Sequence, residues 1–244
     1  MKVGILYSGI SNGNEKDRNF SHCFKNHERM FLSHLRESHD VSLFFCTYGE
    51  NESIQSLKED YDPKKILVLP YENSNQVNTR LQSLSLIENE ELDFVFWVRF
   101  DTHYLLEFPE WNIDFKKFNI VSREANGWWE RKRYTNDTFF CFPHSLSSKL
   151  ISAMINLRLY KMNGDGIDYD YSLQHIHNLY AQFLENELPQ SSIHFMFDDE
   201  QLSGHRFNSI CTKLYVDLYR EKFKIDADVL SRFSDPNNLM KINF

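Results

Sequence analysis

Phe94-Val95-Phe96-Trp97-Val98 is an uninterrupted apolar run, and it ends abruptly in Arg99-Phe100-Asp101. A strand with one wet face alternates apolar and polar residues, whereas a run without alternation is the pattern of a central strand covered on both faces. Three shorter runs precede it: residues 3–7, closed by Ser8-Gly9; residues 41–47, entered through His39-Asp40; and residues 66–69, closed by Pro70. The segments between them predict helices. Phe20, Phe24, Met30, Phe31 and Leu35 suit a helix over 19–36, and the polar stretch 51–60 suits a short one. Leu81, Leu84, Leu86 and Ile87 then suit a helix over 76–90. Strands that alternate with helices through short connections imply a parallel sheet with right-handed crossovers, a Rossmann-like α/β layer.

The second half is less regular. Residues 119–122 and 139–142 read as strands, 145–160 and 171–187 as helices, and 193–197 as a further short strand. No linker, repeat or low-complexity tract interrupts the 244 residues, so one compact domain with a tail is expected. A core of that size needs no disulfide or structural metal. Cys23, Cys46, Cys141 and Cys211 are widely spaced, with no CxxC pair and no zinc-type pattern, and read as reduced thiols of a cytoplasmic protein. The opening Met1–Tyr7 is too short for a signal peptide, and no run approaches the roughly 20 apolar residues of a membrane span. With a net charge of −8 the chain lacks the basic surface of a general nucleic-acid binder.

In an open parallel sheet, ligands sit beyond the carboxyl ends of the strands. The rule singles out Ser8-Gly9, Thr47-Tyr48, Pro70-Tyr71 and Arg99-Phe100-Asp101. Arg99 and Asp101 stand two apart in extended chain, which aims both side chains the same way. Arginine offers a planar fork for phosphate oxygens, and an aspartate beside phosphates is a usual ligand of magnesium or manganese. The competing reading is an Arg–Asp ion pair without a ligand. Only 8 of the residues are glycine, about half the usual ~7% share. There is no GxxxxGK[ST], and Ser8-Gly9-Ile10-Ser11-Asn12-Gly13 is not GxGxxG. Those absences disfavour P-loop kinases, sulfotransferases, dinucleotide enzymes and methyltransferases. A nucleotide binder that holds a diphosphate through cationic side chains and a metal needs few glycines.

Read in order, these pieces resemble glycosyltransferases of the GT-A fold, in particular a loose group of small bacterial and viral sugar transferases. The resemblance is carried by Ile5-Leu6-Tyr7-Ser8-Gly9, Arg18-Asn19-Phe20, Pro63-Lys64-Lys65, Arg80-Leu81-Gln82-Ser83-Leu84, Val98-Arg99-Phe100-Asp101 and Asn136-Asp137-Thr138-Phe139-Phe140. It spans residues 3–155. It implies a single GT-A-like domain with a mostly parallel sheet: a nucleotide-binding half over 1–105, an acceptor-binding half over 106–220 and a tail over 221–244. It also implies a nucleoside diphosphate sugar donor, UDP- or GDP-linked, and a glycan or other hydroxyl acceptor. One departure stands out. Arg99 occupies the first position of the DxD motif, which puts the expected manganese or magnesium in question.

From the resemblance, Tyr7, Ser8, Gly9 and Thr47 are expected to line the nucleotide pocket, with a ring stacked on the base. Arg18, Arg80 and Arg99 reach phosphate or ribose, and Asp101 and His205 hold the metal. If the transfer inverts, Asp137 is the expected general base, with Asp165, Asp168 and Asp170 in reserve. Trp128 and Trp129, next to Glu130-Arg131-Lys132-Arg133, form a platform for the acceptor sugar. Each assignment has a plainer rival. Tyr7 ends a core strand, Arg18 and Arg80 are surface arginines, and His205 is a solvated loop residue. Asn136-Asp137 forms a turn, and the tryptophans pack inward. Two other classes also compete: a non-catalytic nucleotide-sugar or carbohydrate-binding module, and a nucleotidyltransferase, which needs more carboxylates than Asp101 alone.

Overall fold

The first strand of the chain, β1 (Lys2–Ser8), becomes the middle of the sheet because its neighbours are added on both sides. In the computed structural model, residues 1–9, 21–48, 51–70, 76–100, 102, 104, 106–121, 135, 139–163 and 179–196 are described. Beside β1 the sheet continues through β2 (Asp40–Thr47) to β3 (Lys65–Val68). On the other side stand β4 (Phe94–Val98), β6 (Phe139–Pro143), β5 (Phe118–Ile120) and β7 (Ile193–Phe195), in that spatial order. Helical segments alternate with the strands. Helix α1 runs from Ser21–His27 through a π turn, Glu28–Leu32, into Ser33–Arg36. Helix α2 is Asn51–Tyr61, α3 is Gln76–Ser85, and α4 is Ser147–Asn163. The protein is therefore an α/β fold with a seven-stranded, mostly parallel mixed sheet and flanking helices.

The pairing is parallel between β1 and β2, β1 and β4, β2 and β3, and β5 and β7. Only β6 is reversed, pairing antiparallel with β4 on one side and β5 on the other. Apolar runs of this kind specify burial but not direction, so the reversal is invisible in the sequence. The helices divide between the two faces as alternation in the strands requires. Val3, Ile5, Tyr7, Phe45, Phe96 and Val98 lie under α1 and α2, against Met30, Phe31, Leu35, Ile54 and Leu57. Leu6, Phe44, Val95, Trp97 and Phe140 face α3 and α4, against Val77, Leu81, Leu84, Leu150 and Met154. The crossovers after β1 and β2 thus cover one face, and the crossover after β3 covers the other.

The predicted helix over 76–90 stops at Ser85. Ser83 and Ser85 donate their hydroxyls to the carbonyls of Arg80 and Gln82 (2.7 Å each), and bonds of this local kind compete with the helical ladder. Leu86 and Ile87 still reach the core from the turns that follow. Those turns bring Glu90 onto Lys64 (2.6 Å) and Lys65 (2.7 Å). Hydrogen bonds from the two ammonium groups hold the Glu90 carboxyl below the ordinary glutamate range. A carboxyl whose folded pKa is depressed contributes stability above its unfolded pKa and loses it as pH falls through the folded value. Urea denaturation should accordingly show wild type losing part of its advantage over Glu90→Gln as the pH is lowered from 6 to about 3. A difference that stays constant over that range would mean that the ion pairs contribute nothing.

Candidate functional site

The chain begins in the middle of the sheet, moves outward through β2 and β3, then returns to the far side of β1 as β4. That reversal of strand order makes the carboxyl ends of β1 and β4 a topological switch point; the chain leaving β4 packs through Phe100, Tyr104 and Trp111 on the same face as helix α1. Register fixes which residues meet there. Tyr7 lies beside Val98 and Phe45, and Ser8 beside Cys46. Gly9 and Arg99 are the residues that leave the two strands. The start of β6 is brought to the same edge, because the antiparallel register places Phe139 against Val98.

Gly9 turns the chain away from β1 with a φ of +124°, a conformation that L side chains rarely adopt, and its N–H donates to the Cys46 carbonyl (3.1 Å). Open space lies where a Cβ would be. Ser8 is 1% exposed, and its hydroxyl has no hydrogen-bond partner among the described residues. It alternates with Tyr7 and so shares the α3 face with Leu6. Thr47 is fully buried and donates its hydroxyl to the Tyr48 carbonyl (3.3 Å). Arg99 is half-buried.

Arg80 is placed differently from a surface arginine. It is 2% exposed, with its guanidinium 4.7 Å from the centre of the Trp97 ring and 5.9 Å from that of Phe140. The Trp97 indole N–H donates to Ser83 (3.0 Å), which orients the ring that carries the cation. A desolvated cation–π contact of this kind contributes about 2 kcal/mol. Trp97 is two residues before Arg99 in the sequence. Both arginines expected from the sequence to meet phosphate, and described here, therefore belong to the end of β4 or to the helix packed over it.

Tyr7 belongs to the core. It is fully buried, with its ring stacked against Phe100 (5.2 Å) and His27 (5.4 Å) and edge-on to Phe45 (5.3 Å). The ring expected to stack on a base is thus already packed on both sides. Its hydroxyl meets His27 Nδ1 (3.2 Å), which also meets Tyr61 (3.1 Å), while His27 Nε2 bonds the Thr102 carbonyl. Beside it Asn26 bonds the backbone of Tyr104 twice, donating to its carbonyl (2.9 Å) and accepting from its N–H (2.7 Å). Sequence reading passed over these two residues, although a signal was present. His27 continues the apolar series Phe20, Phe24 and Phe31 at helical spacing, a position where a polar residue must be bonded.

Arg18, Asp101, Trp128, Trp129, Asp137, Asp165, Asp168, Asp170 and His205 lie outside the described residues. Among the described residues no group of three or more His, Cys, Asp or Glu side chains is gathered to hold a metal ion. What the described residues bring to this edge is guanidinium and hydroxyl, a donor set suited to an anion. Cys46, one residue before the end of β2, is fully buried, and burial pushes its thiol up to about 12, which disfavours the thiolate. Among the described residues no helix is long and apolar enough to cross a membrane. No known protein-family model matches the sequence, and comparison with curated proteins finds no match.

A buried hydroxyl without a partner costs stability and is retained only where something else needs it. Ser8→Ala should therefore leave the ligand-free protein as stable as wild type, or more stable by up to about 1 kcal/mol, in urea denaturation. A loss beyond about 1 kcal/mol would show that the hydroxyl is bonded in the folded state.

Proposed function

We propose that the protein is a glycosyltransferase of GT-A type that takes a sugar from a nucleoside diphosphate and delivers it to a hydroxyl acceptor. The observation that carries this reading is the meeting of Arg99 and Ser8-Gly9 at the β1/β4 switch point, with the Arg80 guanidinium held over Trp97 on the α3 face. Fixed cations at the carboxyl edge of a parallel sheet suit a diphosphate. The mixed sheet, Rossmann-like up to β4 and then reversed at β6, supports the same family of folds.

In this reading the nucleoside lies beyond the carboxyl ends of β1 and β4, beside Gly9. The diphosphate lies toward Arg99, with the Ser8 hydroxyl available to it. The reaction breaks the bond between the anomeric carbon and the diphosphate oxygen, and the electron pair leaves with the diphosphate. Arginines already in place stabilise that growing charge without reorganising, the largest electrostatic demand of such a transfer. A divalent ion held by Asp101 and the diphosphate oxygens would add a second cation to the same task. The acceptor oxygen forms the new bond on the opposite face of the sugar, and its proton passes to a carboxylate.

Asp137 is the residue we assign as that base. It precedes Phe139 by two residues, and Phe139 opens β6 directly beside the end of β4. That nearness in sequence to Phe139, beside the end of β4, is what supports the assignment. Trp128 and Trp129 are proposed as the acceptor platform. The rival class, a binding module without turnover, is kept open by Arg99 in the first position of the motif.

Thermal-shift screening of UDP, GDP, CDP and their sugars, with and without manganese, tests the reading. One nucleoside diphosphate should raise the melting temperature, and Arg99→Ala should weaken its binding about tenfold or more. No shift with any of them would sink the proposal. Binding with no sugar transfer to any hydroxyl acceptor, and no donor hydrolysis, would favour the module. Asp137→Asn should bind the nucleotide normally and lose transfer by about a hundredfold or more; full transfer by that variant would remove Asp137 as the base.

A further inference from the structure

Beyond Val98 the chain leaves the ladder between β1 and β6, and its backbone groups need other partners. Helix α1 supplies them. Asn26, 6% exposed, makes its reciprocal pair of bonds with the N–H and carbonyl of Tyr104. His27, fully buried, bonds the Thr102 carbonyl through Nε2. A carbonyl only accepts, so Nε2 carries the hydrogen; in the neutral ring Nδ1 is then the acceptor for the hydroxyls of Tyr7 and Tyr61. The imidazole is thereby held on both edges, and by Tyr7 stacked on it. The helix widens into its π turn directly after His27, and such turns concentrate at functional sites.

We infer that Asn26 and His27 are positioning residues for the donor site: they set the course of the chain from Arg99 to Tyr104. This inference rests on the donor reading above. Three features carry it. The bonds span 75 and 78 residues of sequence, so they tie the strand end to a separate element rather than closing a local turn. These bonds go to main-chain atoms, at Thr102 and Tyr104, and so hold the course of the backbone. Phe100, the residue before Asp101, is pinned as well, stacked on Tyr7 and edge-on to Phe45 (5.0 Å). Asp101 thus lies in sequence between two residues, Phe100 and Thr102, that are both fixed and buried. A ligand contact placed within a few tenths of an ångström needs that kind of support.

The test compares Asn26→Asp, which sets an oxygen against the Tyr104 carbonyl, with His27→Phe and His27→Gln. Glutamine keeps an N–H donor for Thr102, and phenylalanine keeps only the ring. Binding of the nucleoside diphosphate that stabilises wild type is measured by calorimetry well below each melting temperature, with folding verified by circular dichroism. Asn26→Asp and His27→Phe should weaken that binding about tenfold, whereas His27→Gln should recover most of the affinity. Folded variants that bind as wild type does, with only a lower melting temperature, would make the pair structural and overturn the inference. Should His27→Phe fail to fold, Asn26→Asp decides.

Hydrogen exchange over residues 99–104, measured without ligand, separates the two ways of failing. It should quicken in Asn26→Asp while β1 and β2 stay protected. Unchanged exchange overturns the clamp whatever the ligand does. Quickened exchange in a protein whose wild type binds no nucleoside diphosphate overturns the donor reading, and the positioning role with it.

Discussion

The parallel pairing of β1 with β4 is the contact on which the molecule depends. It joins the first strand of the chain to a strand some ninety residues later, and it closes only after β2 and β3 have been built outward from β1. Its five register pairs are buried on both faces. Val3, Ile5 and Tyr7 stand with Phe94, Phe96 and Val98 under α1 and α2, and Leu6 stands with Val95 and Trp97 under α3 and α4. The same pairing creates the switch point, since the strand order reverses there, outward to β2 and β3 on one side and to β4 on the other. Stability and the candidate site therefore share one cause: the register that buries the aromatic core also brings Ser8-Gly9 beside Arg99.

Polar groups at this edge are treated in two contrasting ways. On the α1 face every bond of the Tyr7–His27–Tyr61–Thr102 group is made deep in the core, and its effect is to hold backbone. On the α3 face Ser8 keeps a buried hydroxyl without a partner among the described residues, and Arg80 keeps a buried guanidinium over an indole. The first arrangement holds backbone, although the Thr102 hydroxyl within it has no partner among the described residues. The second places a buried cation over the indole of Trp97, near the end of β4. An acidic chain can bind a diphosphate in this way, because the cations are local and the surface charge does not enter.

The alternation of apolar runs and helical spacings made the first four strands and three helices legible, and the run Phe94–Val98 matched its strand without adjustment. Strand direction was not legible. Nothing in Phe139–Pro143 distinguishes a reversed strand from a parallel one, because both are buried on two faces. Single side chains were harder still. The resemblance implies Tyr7 in the nucleotide pocket, with the end of a core strand as its rival, and alternation turns it toward α1 and leaves the α3 face to Ser8. For Arg80 the expected phosphate contact and the surface rival both missed the packing, which alone shows Trp97 beneath it. His27 was hidden by its neighbours, since a polar residue on an apolar helical face declares its importance only once its partners 20, 34 and 75 residues away are known.

A crystal structure of the protein with a nucleoside diphosphate and manganese tests the central claim most directly. The account predicts the diphosphate within hydrogen-bonding distance of the Arg99 guanidinium, with the nucleoside beyond the carboxyl ends of β1 and β4. A nucleotide seated at the amino ends of the strands, or against β5 and β7 far from Arg99, would contradict it.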